Sequence, residues 1–173
     1  MKMYDEIWGV AEDNYGIITS AQAGELGVSR QNLRKMEKSG ALTRLCHGVY
    51  QVKHHVPTRS DVYAAAVAMA GEKSYLRGAS VVALLELAPT DPAFVYVGSE
   101  GRVRRRLPDG YILKDMKAAD TVFYNGIRCQ EIGDALREAR AEGVMEADRV
   151  ASAAEKANEK GLMTDEESAK FKD

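Results

Sequence analysis

Basic side chains are concentrated in one short stretch of this sequence. Between Arg30 and Arg59 there are seven lysines and arginines against a single acid, Glu37, although the whole chain has a net charge of −2. All three histidines fall in the same stretch. Basic character confined to one segment is expected when one face of a protein meets phosphates and the remainder does not. From charge alone, a solvated surface with no partner is the alternative.

The segment from Arg30 to Ser39 has the spacing of a helix with one basic face. Leu33 and Met36 lie about 60° apart on a helical wheel and define its buried side. The opposite side then carries an amide and three cations: Gln31, Arg34, Lys35 and Lys38. Such a face suits the major groove of DNA, because amides and guanidinium groups make paired hydrogen bonds to base edges and lysines reach phosphates. Arg30 and Gln31, in the first turn, are the expected base-reading residues.

The preceding residues predict the helices that position this basic face. An apolar face at helical spacing runs from about Met3 to Asn14. Thr19 and Gln22 form a capping-box pair that opens a short second helix, and Gly27 ends it. Ser29 is a natural N-cap for the basic helix. Two short helices joined by a glycine-containing turn are typical of the helix-turn-helix.

A hairpin is expected directly after the basic helix. Past Gly40 the apolar period changes from about 3.6 to about 2, and Gly48 permits the positive φ that a short turn requires. A hairpin in this position is a wing, and Arg44 and His47 would sit where a wing reaches the DNA backbone or minor groove. We therefore expect DNA contact from eight residues: Ser29, Arg30, Gln31, Arg34, Lys35, Lys38, Arg44 and His47.

The sequence around the basic helix also carries a pattern that resembles the N-terminal domain of the AbiEi family of antitoxins. The pattern combines Thr-Ser-Ala at 19–21, a Gly-Val-Ser turn at 27–29 and a wing ending in Gly-Val-Tyr at 48–50. Residues 75–87 more loosely resemble the strand and helix that open the family's C-terminal domain, with Arg77-Gly78 in place of Ser-His. The resemblance implies the antitoxin of a type IV toxin-antitoxin pair. Such an antitoxin binds repeats in its own promoter, represses its operon and counters a nucleotidyltransferase-type toxin, directly or indirectly.

The second half of the chain predicts a small mixed α+β domain that ends in helices. Pro57 to Ser60 has the composition of a linker, so we place a winged helix-turn-helix domain at 1–56 and an α+β antitoxin or interaction domain at 57–173. Apolar strands are expected near 94–97, 111–113, 122–124 and 127–129, the last two joined by an Asn-Gly turn. Helices are expected near 61–70, 80–87, 132–142 and 146–160, with a short one after residue 164. The predicted fold class is therefore α+β.

The densest basic cluster lies between the predicted strands of this second domain. It consists of four arginines in five residues: Arg102, Arg104, Arg105 and Arg106. These side chains can contact DNA phosphates, dock an acidic protein or solvate a loop, and the sequence leaves the three alternatives open.

The sequence contains no pattern that predicts catalysis, a cofactor or a metal site. No histidine follows His55, and the chain lacks a glycine-rich phosphate loop. Cys46 and Cys129 form neither a disulfide framework nor a zinc module, because they lack a local pair spacing. We therefore expect a non-enzymatic protein without a cofactor.

The sequence also predicts where the protein acts and what it binds. The longest apolar run is broken by Glu86, far short of the ~20 residues that span a bilayer, and the chain start lacks a signal-peptide pattern. We expect a cytoplasmic, DNA-binding antitoxin that represses its own promoter, with no membrane partner. One alternative is a stand-alone winged-helix regulator whose C-terminal domain oligomerises or senses a ligand. Another is a protein-interaction module that uses the basic face on an acidic partner. The oligomeric state stays open.

Overall fold

The chain folds into two compact units. The structure, a computed structural model, describes residues 2–118 and 120–172. The first unit extends to Glu72 and also includes the segment Arg104–Leu107. The second unit comprises Lys73–Val103 and continues from Pro108. This division falls later in the chain than the expected boundary at 56/57, because the helix that follows the expected linker contacts the sheet of the first unit.

The first unit alternates short helices and strands. Its elements are α1 (Lys2–Ala11), β1 (Ile17–Thr19), α2 (Ser20–Glu25), α3 (Arg30–Lys38), β2 (Leu42–Cys46), β3 (Val49–Val52) and α4 (Asp61–Ala70). A 3-10 turn at Glu12–Asn14 follows α1. The strands form an antiparallel sheet in the order β1-β3-β2. The elements from α1 to β3 therefore make a helix-turn-helix followed by a wing.

The core of the first unit lies where its helices pack on the sheet. Ile7 of α1, Ile18 of β1 and Leu33 of α3 are fully buried, and Val52 of β3 joins them. Burial of each large aliphatic side chain contributes roughly 1.5–3 kcal/mol. Helix α3 is thus held by one apolar side, and its other sides are left for solvent or a partner.

The second unit is a five-stranded mixed sheet with helices. Its elements are β4 (Ser74–Leu76), α5 (Ala79–Leu84), β5 (Val95–Ser99), β6 (Tyr111–Asp115), β7 (Thr121–Tyr124), β8 (Ile127–Gln130), α6 (Ile132–Ala141), α7 (Ala147–Glu159) and α8 (Asp165–Ala169). The strand order is β6-β5-β4-β8-β7. These elements confirm the α+β fold class. No helix in the described ranges is both long and apolar enough to cross a membrane.

A buried charged cluster ties the sheet of the second unit to α6. Arg77, only 2% exposed, donates hydrogen bonds to the carbonyl oxygens of Val97 (3.2 Å) and Ile112 (3.3 Å). Its Nη1 also lies 3.3 Å from a Glu138 carboxylate oxygen and 3.0 Å from one of Glu142. One guanidinium therefore links the end of β4 to β5, β6 and α6.

Lys114 of β6 completes this cluster. Its ammonium lies 2.8 Å from the other Glu142 oxygen and 3.5 Å from the other Glu138 oxygen. The hydrogen bond to Glu142 raises the pKa of Lys114. Burial by itself would raise the pKa of Glu142, but the nearby Lys114 and Arg77 outweigh it and lower that pKa. The cluster thus keeps both partners charged at neutral pH.

Candidate nucleic-acid interface

Helix α3 begins at Arg30, as the sequence predicts, and ends at Lys38, one residue before the predicted end. The Ser29 hydroxyl accepts a hydrogen bond from the backbone N–H of Asn32 at 3.1 Å, which caps the N-terminus. At the other end Gly40 has a φ of +82°, and the Ala41 N–H donates to the Met36 carbonyl at 2.9 Å. This is the hydrogen bond of a Schellman C-cap. Both limits of the helix are thus set locally.

The exposed face of α3 is the one that the helical spacing predicts. Leu33 is fully buried, Met36 packs at the edge of the core and Glu37 is half-buried. The exposed side chains are four cations and an amide: Arg30, Gln31, Arg34, Lys35 and Lys38. Within residues 2–118 and 120–172, no salt bridge pairs any of these cations with a carboxylate. The face can therefore neutralise an anionic partner without first giving up an internal ion pair.

The wing is the hairpin of β2 and β3, and it turns at His47 and Gly48. Gly48 has a φ of +77°, a conformation that strains any residue with a side chain. The Arg44 guanidinium donates to the Cys46 carbonyl at 3.4 Å and lies 3.5 Å from His47 Nδ1. Arg44 and His47 are both exposed, so the tip of the wing presents two groups that can contact phosphate.

The wing turn is joined to the start of α2. The Ser20 N–H donates to the Gly48 carbonyl at 2.8 Å. Thr19, the N-cap of α2, accepts a hydrogen bond from the Gln22 N–H at 3.1 Å and donates its own N–H to the Gln22 side chain at 3.0 Å. This capping box confirms the predicted start of the second helix. Because the capping box fixes the start of α2, it also fixes the position of Ser20, whose N–H donates to the wing turn.

A segment from much later in the chain belongs to the same unit. Arg104–Leu107 lies between β5 and β6 in sequence but clusters with the first unit. The Arg105 Nη1 donates to the Met69 carbonyl, in the last turn of α4, at 3.3 Å. Its Nη2 would lie 3.7 Å from a Cβ placed on Gly48. Arg105 thus bridges α4 and the wing turn.

The four predicted loop arginines are all exposed, but they are divided between the units. Arg104, Arg105 and Arg106 belong to the first unit and Arg102 to the second. The sequence offered no signal for the link between Arg105 and the wing, because the residues involved are far apart along the chain. Ser20 was likewise missed, since its contribution to the wing is made by its backbone N–H.

The two cysteines are free thiols. Burial raises the pKa of Cys46 on the wing, and the neighbouring Arg105 and Arg44 offset part of this rise. Burial raises the pKa of Cys129 in β8 to about 12. In the described ranges, histidine, cysteine and carboxylate side chains form no group of three or more that could hold a metal ion.

The order of elements from α1 to β3, with an exposed basic face on α3, defines a winged helix-turn-helix. Residues 10–53 match the family model described as a transcriptional regulator, AbiEi antitoxin. This match runs from the end of α1 to just past β3 and confirms the resemblance predicted from the sequence. A comparison with curated proteins finds no match for the chain.

Proposed function

We propose that this protein is a DNA-binding antitoxin that represses transcription of its own operon. The observation that carries the proposal is the exposed face of α3 on a winged helix-turn-helix. There, cations that pair with no carboxylate in the described part of the chain surround an exposed amide. The match of residues 10–53 to a family of antitoxin regulators supports the proposal that the protein is a regulator of this kind.

Helix α3 lies in the major groove in this proposal. Arg30 and Gln31, in its first turn, read base edges, because guanidinium and amide groups can make paired hydrogen bonds to guanine and adenine. Arg34, Lys35 and Lys38 lie further along the exposed face and bind phosphates on either side of the groove. Sequence preference and general affinity are therefore assigned to different residues of one helix.

The cap and the wing complete the contact. Ser29 begins α3 with its hydroxyl occupied by the Asn32 N–H, and the N-terminus it caps attracts a phosphate through the helix dipole. Arg44 and His47, exposed at the wing tip, bind the backbone next to the minor groove. The duplex is thereby held on both sides of the recognition helix.

The antitoxin part of the function is assigned to the second unit. In this proposal the second unit does not read DNA. It counters a nucleotidyltransferase-type toxin either by direct contact or indirectly. The protein acts in the cytoplasm, without catalysis of its own. A nucleotidyltransferase gene next to this gene, if one is found there, would favour the antitoxin over a stand-alone regulator.

Fluorescence anisotropy with the full chain tests the DNA-binding part. The probes are a labelled duplex from upstream of the gene and a scrambled duplex of the same composition, each titrated over a series of salt concentrations. We expect tighter binding to the upstream duplex and an affinity that falls steeply with salt. Equal affinity for the two duplexes would rule out a specific repressor.

Two substitutions separate the roles assigned along α3. Arg34→Glu should weaken binding to both duplexes alike, because it replaces a phosphate contact with a repulsive charge. Gln31→Ala should reduce the preference for the upstream duplex by roughly 5- to 150-fold, the worth of one paired base contact, with little change on the scrambled duplex. Undiminished binding by the Arg34 variant would show that α3 does not face the DNA.

A further inference from the structure

We propose that Arg104 and Arg106 form a second phosphate-binding element, which contacts the DNA backbone beside the wing. The inference rests on the proposed DNA binding and adds to it an element that no helix-turn-helix residue supplies. Its ligand is the sugar-phosphate backbone of the same duplex that α3 reads. Its contribution is to affinity and to salt dependence, and base sequence plays no part.

The contacts of Arg105 determine the position of the segment. Arg105 donates to the Met69 carbonyl at 3.3 Å and approaches the position of a Gly48 side chain to 3.7 Å. Its charge also offsets part of the rise that burial causes in the pKa of the Cys46 thiol on β2. These contacts hold the backbone of the segment against the wing turn, where His47 and Arg44 are exposed.

The three arginines of the segment differ in their contacts. All three are exposed, but the Arg105 guanidinium donates a hydrogen bond within the first unit, and Arg104 and Arg106 flank it. In the described ranges, neither of these two makes a salt bridge with a carboxylate. Arg105 therefore acts as the anchor, and its neighbours are the groups available to a ligand.

The density and position of these arginines favour DNA as their ligand. Adjacent guanidinium groups repel one another, so a cluster of this density is favoured when an anion lies against it. The same unit already presents basic groups on α3 and at the wing tip. Duplex DNA carries a charge about every 1.7 Å of its axis, so it can continue past the wing and meet additional arginines. An acidic protein would have no comparable reason to bind at the side of a wing.

The test compares the salt dependence of DNA binding between wild type and the variant Arg104→Ala with Arg106→Ala, which leaves the Arg105 anchor in place. Loss of two phosphate contacts should reduce the slope of log affinity against log salt by about 1.8 and weaken binding to upstream and scrambled duplexes equally. Replacement of both arginines by lysine should keep most of the slope, because lysine also neutralises phosphate.

A matched control removes the same charge elsewhere. Arg140→Ala with Lys156→Ala alters two exposed cations of the second unit, and we expect the wild-type slope. If the wild type binds with a steep slope that the Arg104/Arg106 variant retains, the inference fails and the proposed function stands. If the control lowers the slope equally, net charge is responsible and the inference also fails. If the wild type binds neither duplex, both proposals fail.

Discussion

Arg77 carries the most deeply buried charge among the described residues of the ion-pair cluster in the second unit. It is only 2% exposed. Its guanidinium is satisfied by carbonyl oxygens and carboxylates, and it also lies 5.3 Å from the centre of the Tyr96 ring. Gly78, the next residue, has a φ of +52°, and a Cβ there would approach a Glu138 oxygen to 3.2 Å. Arg77 and Gly78 thus both contact α6 at the end of β4, so neither position accepts an arbitrary replacement.

The environment of Arg77 predicts a large effect on stability. Arg77→Met should lower the free energy of unfolding by about 3–5 kcal/mol, because it leaves the Glu138 carboxylate buried without its guanidinium partner. Urea unfolding followed by circular dichroism measures this loss. Arg140→Met, at an exposed position of α6, is the control and should change stability by less than about 0.5 kcal/mol. Similar midpoints for the two variants would show that the cluster contributes little.

At the scale of the element, the sequence was most informative where side-chain spacing or a cap determines structure. The exposed side of α3 follows from the positions of Leu33 and Met36, and the cap at Ser29 is confirmed. Strand β1 was not predicted, because three residues are too few to show a period of two. That any of the exposed residues contacts DNA stays a prediction, since exposure and charge do not by themselves identify a partner.

The contact between the wing and Arg105 illustrates what sequence patterns cannot reveal. The sequence identifies the loop arginines as a basic cluster, but it does not reveal that three of them belong to the first unit. Helical and strand periods report on neighbours a few residues apart, whereas this contact depends on how the chain returns after β5. The position of the unit division was displaced for the same reason, because the packing of α4 is a tertiary property.

Ser29 provides a test of α3 as an element. Ser29→Ala should cost about 1 kcal/mol of stability through loss of the N-cap. Ser29→Asp keeps an acceptor for the Asn32 N–H and should restore stability, yet it places a negative charge where a phosphate is expected, so DNA affinity should fall at least about tenfold.

The neutral cap Ser29→Asn is the matched control for Ser29→Asp. It should retain both stability and most of the DNA affinity. Thermal unfolding and anisotropy, measured on the same protein samples, separate the two effects. If Ser29→Asp binds DNA as tightly as Ser29→Asn, the start of α3 does not lie against the backbone.

At the scale of the whole molecule, charge is distributed unevenly along the chain. The stretch from Arg30 to Arg59 is strongly basic, while the chain as a whole has a net charge of −2. A protein of this kind can bind DNA through one surface and still avoid general attraction to nucleic acid over the rest. The proposed repression and the proposed antitoxin activity are therefore assigned to separate parts of the chain.

This assignment predicts that the two activities are separable. Arg34→Glu should abolish repression of a reporter fused to the upstream region, yet it should still restore growth of cells that express the proposed nucleotidyltransferase-type toxin. Reporter activity and colony counts measure the two effects. Arg140→Glu, the same charge change in the second unit, should leave repression intact. Loss of growth rescue in the Arg34 variant would show that the protein counters the toxin through DNA binding.

The segment Arg104–Leu107 has a consequence for how such a chain diversifies. Because these residues complete the first unit, a recombination event after Glu72 would join the existing wing to a foreign loop and separate Arg105 from the Met69 carbonyl and the wing turn. The parts of the chain before and after Glu72 are therefore not freely interchangeable. An exchange of the second half keeps this bridge only if the incoming loop supplies a side chain that makes the contacts of Arg105.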